Sequence, residues 1–357
     1  MSEPEAPPTG TPVPEQQPPT GTPPPAAPQP PSPAEGAPPA EAAPTAEAAP
    51  TAEVAPPAEA PSPAEAAPAA PEAEPAPEAE PAPEAEPAAE AEPPPPEPEP
   101  VPPAAASGAG TPLVLLHAFP LDGRMWAPQV EALAGTYEVI VPDLRGFGAA
   151  REQAVEEAAM DQLADDVARL LDQRGLDRVV LGGLSMGGYV ALAFARRHAD
   201  RLGGLVLLDT KAAPDGEQAR ADRLRMVERV LAEGTGFLPE AMLPRLLGKT
   251  SLEERPELVE RVTALVAEQD PRAVAGAQRG MAARPDATDV LASIAVPTLV
   301  VTGAEDALFS PEVGRELASA IPGARYLLVE EAGHLSSLER PEVVNEALLD
   351  FLAPIWV

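Results

Sequence analysis

From residue 107 onward the chain alternates two patterns. Short, mostly apolar runs occupy 113–116, 137–141, 178–182, 205–208, 297–301 and 326–329. They are too short for helices and too uniformly apolar for half-exposed strands, so they predict strands buried on both faces. Between them, apolar positions recur at helical spacing. Such stretches lie at 125–133, at 188–198 and at 341–352; another carries Leu163, Val167, Leu170 and Leu171, with Asp161, Asp165 and Asp166 turned outward. Strand and helix in alternation predict an α/β architecture around a mostly parallel sheet.

The rhythm breaks at 212–288, where no strand-like run occurs and helical stretches such as 220–231 and 258–267 follow one another. An all-helical insertion in a parallel sheet predicts a cap over the carboxyl ends of the strands, where such sheets bind ligands. Residues 211–286 hold 12 basic and 13 acidic residues, so the cap's net charge selects no substrate.

Residues 1–106 follow neither pattern. They contain 37 of the 52 prolines and 19 glutamates, with no Asp, Lys, Arg, His or aromatic residue. A local repeat, Pro71-Glu72-Ala73-Glu74-Pro75-Ala76, recurs at 77–82. Such a segment buries too little apolar surface to offset chain entropy, and an extended, disordered acidic tail is expected. Its P-x-x-P spacings suit Pro-recognising modules, but at this proline density they arise unavoidably, and a solvated spacer is the simpler expectation. The tail carries −19 of the net −33, leaving −14 for 107–357. That balance argues against nucleic acid or anionic membrane as partners. No run of about 18 apolar residues is present to span a membrane. The opening Met1-Ser2-Glu3-Pro4-Glu5 lacks a basic region and a following apolar stretch, so a cytoplasmic location is expected. The absence of cysteine excludes disulfides and thiolate metal sites.

Chemistry concentrates at Gly183-Leu184-Ser185-Met186-Gly187, a G-x-S-x-G motif with a predicted strand before it and a predicted helix after it. That context places Ser185 on a tight strand-to-helix turn, its hydroxyl exposed and the helix N-terminus behind it. A serine hydroxyl is a weak nucleophile until a base takes its proton. Three histidines exist. His117 ends the first strand, His198 closes a helix in Arg196-Arg197-His198, and His334 sits in a glycine-containing loop just after the last strand. His334 is the expected base. For the carboxylate that orients it, Asp306 follows the fifth strand and completes the chain order Ser, Asp, His. Asp209, at the end of the fourth strand, is the competing acid, and Glu305 is expected to point elsewhere. The backbone N–H groups of Met186 and Phe119 are the expected oxyanion donors, with Pro120 fixing the second loop. The side chains of Phe119, Met186 and His117 are expected to wall an apolar, lid-covered pocket suited to a small acyl substrate.

Residues 111–353 resemble the α/β-hydrolase fold family, most of all the small esterases near the 3-oxoadipate enol-lactonases and the cofactor-free haloperoxidases. The stretches that carry the resemblance are LVLLHAFPLDGRMW (113–126), PDLRGFG (142–148), GGLSMGGYVAL (182–192), VTGAED (301–306) and AGHLSSL (332–338). It implies a serine hydrolase working through an acyl-enzyme on a small ester or lactone, with no cofactor; perhydrolysis or C–C bond hydrolysis on the same triad, and a non-catalytic binding role, are the alternatives. The chain departs from the family pattern at Ala118, where relatives carry glycine, and at Ala149, where they carry serine. Residues 107–112 are too few for the antiparallel hairpin that opens the family's sheet, so a shortened sheet of about six strands is expected, with an edge strand left to be covered.

Overall fold

The computed structural model describes residues 111–355. The predicted tail (1–106) and the boundary at 107 lie outside the described residues. Six strands form one sheet: β1 (Leu113–Leu116), β2 (Val139–Ile140), β3 (Val179–Leu184), β4 (Leu202–Leu208), β5 (Thr298–Gly303) and β6 (Arg325–Val329). Their order is β2-β1-β3-β4-β5-β6, and every pairing is parallel. All residues of β1, β3 and β5 are buried, which is why their sequences show no alternation.

The helices between the strands are α1 (Ala127–Leu133), α2 (Met160–Arg174) and α3 (Met186–Arg197). After β4 come α4 (Glu217–Glu233), α5 (Leu238–Leu246), α6 (Lys249–Glu254), α7 (Pro256–Ala267), α8 (Pro271–Ala283) and α9 (Thr288–Leu291). The chain finishes with α10 (Pro311–Ala320), α11 (Ser336–Glu339) and α12 (Pro341–Leu352). From β1 to β2 the chain steps one way along the sheet; from β3 to β4 it steps the other. Right-handed crossovers then put α1 on one face and α3 on the opposite one, in keeping with α1 packing on α12 and α2 on α3. The reversal falls between neighbours β1 and β3, and a parallel sheet opens its ligand crevice at the carboxyl ends of such a pair.

Local differences from the predicted elements have local causes. The helix expected from 125 begins as a 3₁₀ turn over Gly123–Trp126, because the Asp122 carboxylate accepts the Arg124 N–H; Pro128 then suits the first turn of α1. β2 shrinks to two residues because it is an edge, paired only with Leu113 and Val114. The insertion is helical throughout, as predicted, with α4 packed on α8 and α5 on α7, while the short α9 returns to α3.

Candidate active site

Four loops at the carboxyl ends of β1, β3, β5 and β6 converge. Ser185, between β3 and α3, has φ 56° and ψ −111°, a left-handed conformation unusual for a side-chain-bearing residue. Its N–H donates to the Leu208 carbonyl (3.0 Å) and its carbonyl accepts the Thr210 hydroxyl (2.9 Å), so β4 and the loop after it hold the turn. A β-carbon on Gly183 would collide with the Gly187 backbone, and one on Gly187 with the Leu116 carbonyl. These contacts explain both glycines of the motif.

The Ser185 hydroxyl donates to His334 Nε2 (2.7 Å), and His334 Nδ1–H donates to Asp306 Oδ2 (2.8 Å). The carboxylate can only accept, which fixes the proton on Nδ1 and leaves Nε2 free to accept. Asp306 is steadied by the N–H groups of Leu308 (2.7 Å) and Phe309 (3.1 Å) on its other oxygen. The Phe309 ring sits edge-on to the imidazole, centroids 5.4 Å apart. Serine, histidine and aspartate are all buried, so the relay is shielded from bulk water.

Asp209, the competing acid, is turned away. It accepts from Gly303 N–H (2.8 Å) and the Ser336 hydroxyl (2.5 Å), and so pins the end of β5 to the start of α11. Full burial, with the Asp306 charge nearby, raises its carboxyl well above the ordinary range. Glu305 does point elsewhere, binding the N–H and hydroxyl of Thr250 in the cap (2.8 and 2.6 Å). His198 is a helix-terminal residue paired with Asp165 (2.8 Å).

Two pocket-wall expectations are corrected. His117 is fully buried and takes no part in the cavity. Its Nε2 accepts the Leu144 N–H (3.0 Å), so Nδ1 carries the proton and donates to the Ala118 carbonyl (2.9 Å); burial lowers its pKa and holds the ring neutral. Its place is structural, tying the β1 loop to the loop after β2. The Met186 side chain is likewise wholly buried in the core, leaving only its backbone near Ser185. Phe119 does line the cavity. The N–H groups of Phe119 and Met186 donate to no other group among the described residues, as oxyanion donors require. Ala118 is accommodated with its N–H on the Met125 sulfur (3.2 Å), and Asp143 ties the neighbouring segments by accepting from Gly123 and Ala149 N–H (2.7 Å each).

The cavity above Ser185 measures about 230 Å³. Phe119, Leu308, Phe309, Met226, Met242 and Met281 make an apolar wall, but the expectation of an apolar pocket holds for one side only, since charged cap residues line the other. Sequence reasoning also missed Glu339. This buried carboxylate accepts the N–H groups of Gly333 (2.9 Å) and Leu335 (3.1 Å), on either side of His334, and that of Gly248 (2.8 Å) at the root of α6. Burial raises its pKa. The only signal was an acid standing alone at the end of Leu335-Ser336-Ser337-Leu338.

Residues 111–341 match the family model described as alpha/beta hydrolase fold. The chain belongs to that family. It is therefore a hydrolase, and among solved structures it is similar to a thermophilic esterase from Thermogutta terrifontis, described with malate bound: 45% identity, TM-score 0.68, covering 70% of this chain and 92% of that one. The enol-lactonase from Burkholderia xenovorans LB400 is 33% identical with TM-score 0.63, over 68% of this chain and 91% of its own. A putative carbamate hydrolase, RutD, of Azorhizobium caulinodans is 30% identical over 70% of this chain and 93% of its own length.

Proposed function

We propose that the protein hydrolyses a small ester or lactone through an acyl-enzyme on Ser185. Ser185 Oγ attacks the carbonyl carbon as His334 Nε2 takes the hydroxyl proton. Asp306 holds the imidazole tautomer and stabilises the imidazolium. The amide N–H groups of Phe119 and Met186 donate to the developing oxyanion; each such donor typically contributes about 2.7–4 kcal/mol to the transition state. His334 then protonates the departing alkoxide, and in the second half it deprotonates the water that releases the acid.

The observation that carries this reading is the unbroken chain of bonds from Ser185 Oγ through His334 to Asp306, at 2.7 and 2.8 Å, opening onto a capped cavity of small-molecule size. The esterase and lactonase relatives support the choice of bond. A fluorophosphonate probe is expected to label the intact protein and not Ser185→Ala, with p-nitrophenyl acetate turnover lost in the same variant. No labelling and no turnover in the intact protein would overturn the proposal.

A further inference from the structure

The charged side of the cavity is built around one carboxylate. Asp215, almost fully buried, receives Lys211 Nζ (3.0 Å), Arg223 Nε (2.6 Å) and Arg284 Nη2 (3.0 Å). Three cations on one anion leave two positive charges uncompensated, inside a chain whose net charge is −33. Lys211, Arg223 and Asp215 line the same cavity as Ser185 and His334, whereas Arg284 stands behind them, stacked 4.0 Å over the Tyr189 ring. Arg284 Nε is buried with no hydrogen-bond partner, a further sign that the cluster is short of acceptors.

The donors on the cavity side are only partly used. Arg223 spends Nε on Asp215 and Nη1 on Gln278 (3.0 Å) and the Met281 sulfur (3.4 Å), and its Nη2 meets no acceptor among the described residues. Lys211 has one carboxylate contact for three N–H groups, and its ammonium lies 5.5 Å from the centroid of the Phe309 ring that abuts His334. Arg245, also on the cavity lining, pairs with nothing among the described residues. The one other acid on the lining, Asp222, is itself engaged by Arg225 and Gln218. Lys211 and Arg223 are partly buried, and such cations with spare donors cost desolvation energy unless an acceptor arrives, whereas Arg245 is exposed. No further acceptor among the described residues meets their spare donors, and the open space they face is the one in which the reacting carbonyl must sit.

We propose that the substrate is anionic: an ester or lactone carrying a free carboxylate, held by Lys211 and Arg223 with Arg245 beside them, while its scissile carbonyl lies at Ser185. This rests on the hydrolase reading above and narrows it from any small ester to carboxylate-bearing ones. The paired cations would act as specificity residues, gripping the end of the molecule away from the bond that breaks.

The test compares two substrates of equal length on the full-length protein, p-nitrophenyl hydrogen glutarate and p-nitrophenyl pentanoate, which differ by a carboxylate in place of a methyl group. A charge-assisted contact is expected to favour the glutarate ester about tenfold to hundredfold in kcat/KM, carried mainly by KM and shrinking as salt is added. That ratio should collapse in Arg223→Gln and in Lys211→Met; the second variant guards against misfolding, since Arg223 also ties down Gln278 and Met281. A pentanoate ester hydrolysed as well as or better than the glutarate ester would overturn the anionic substrate while leaving the serine hydrolase intact. If neither ester is turned over, the hydrolase reading fails, and calorimetry with glutarate decides the site on its own. Binding that weakens with salt and in Lys211→Met supports the carboxylate site, and absence of glutarate binding overturns it.

Discussion

Ser185 carries a side chain in a conformation that costs of the order of 1–3 kcal/mol and persists because the surroundings over-determine it. The motif made that position legible, since its tight turn leaves no room for a β-carbon at 183 or 187. Choosing between Asp306 and Asp209 was harder, because both end strands at the same sheet edge. What decides it is two backbone N–H groups that aim Asp306 at His334, and hydrogen bonds to Gly303 and Ser336 that aim Asp209 away. His117 was misplaced for a related reason: a histidine at a strand end reads the same in sequence whether its ring faces the cavity or the backbone behind it. Asp209 carries a prediction. Its folded-state pKa is raised by burial above the ordinary value of 3.8. The folded form then holds a proton that the unfolded form releases, so this residue's contribution is full at pH below 3.8 and is lost as pH rises through the folded value. Asp209→Asn keeps an acceptor for Gly303 N–H and, like the protonated acid, can donate to the Ser336 oxygen, without the titration. Its stability relative to the parent, from denaturant unfolding at a series of pH values, should therefore improve as pH rises above about 4. A difference that stays flat with pH would show that Asp209 does not titrate in this way.

At the scale of elements, the strands were legible because burial on both faces removes polar residues from them, and the C-terminal helix because its apolar spacing is regular. The cap was legible as helix but not as architecture, since which helix faces which depends on side-chain packing that no periodicity encodes. Its attachment to the loops around Asp306 and His334 was invisible for the same reason. The root of α6 is fastened to both: Thr250 to Glu305, next to Asp306, and Gly248 to Glu339, which also brackets His334. Leu335 N–H adds a bond to the Leu246 carbonyl at the end of α5 (3.0 Å). The cap and the loops that carry Asp306 and His334 are thus set by shared anchors rather than separately. Glu339→Gln replaces one acceptor oxygen with a donor. With two N–H groups on one oxygen and Gly248 on the other, at least one buried N–H loses its partner. The expected cost is about 1–3 kcal/mol in urea unfolding, with a lower kcat, because the residues flanking His334 lose their hold. Unchanged stability and turnover would mean that the loop is held by packing alone.

The whole molecule is strongly acidic, yet the cavity beside Ser185 is locally cationic, and the opposition has a consequence for the proposed reaction. No helix among the described residues is long and apolar enough to cross a membrane, and the described sheet and cap share one hydrophobic core. Val180 N–H binds the Pro112 carbonyl and Leu113 N–H the Glu138 carbonyl, so the first described residues are already tied to neighbouring strands. Removal of residues 1–106 should therefore leave turnover of a neutral ester unchanged. An anionic substrate should respond differently, because the deleted segment holds −19 of the charge while −14 remains. Long-range repulsion slows the approach of an anion, and at low ionic strength the Debye length of about 30 Å lets distant charges contribute. Truncation should raise kcat/KM for p-nitrophenyl hydrogen glutarate at about 0.01 M salt and leave it unaltered near 0.15 M, where the length falls to about 8 Å. Steady-state rates for both esters, with and without the first 106 residues and at both salt levels, separate the possibilities. An equal change for neutral and anionic ester would assign the segment a part in the fold or the site. A salt-dependent change confined to the anionic ester would make it an electrostatic screen that the cationic cavity overcomes only at close range.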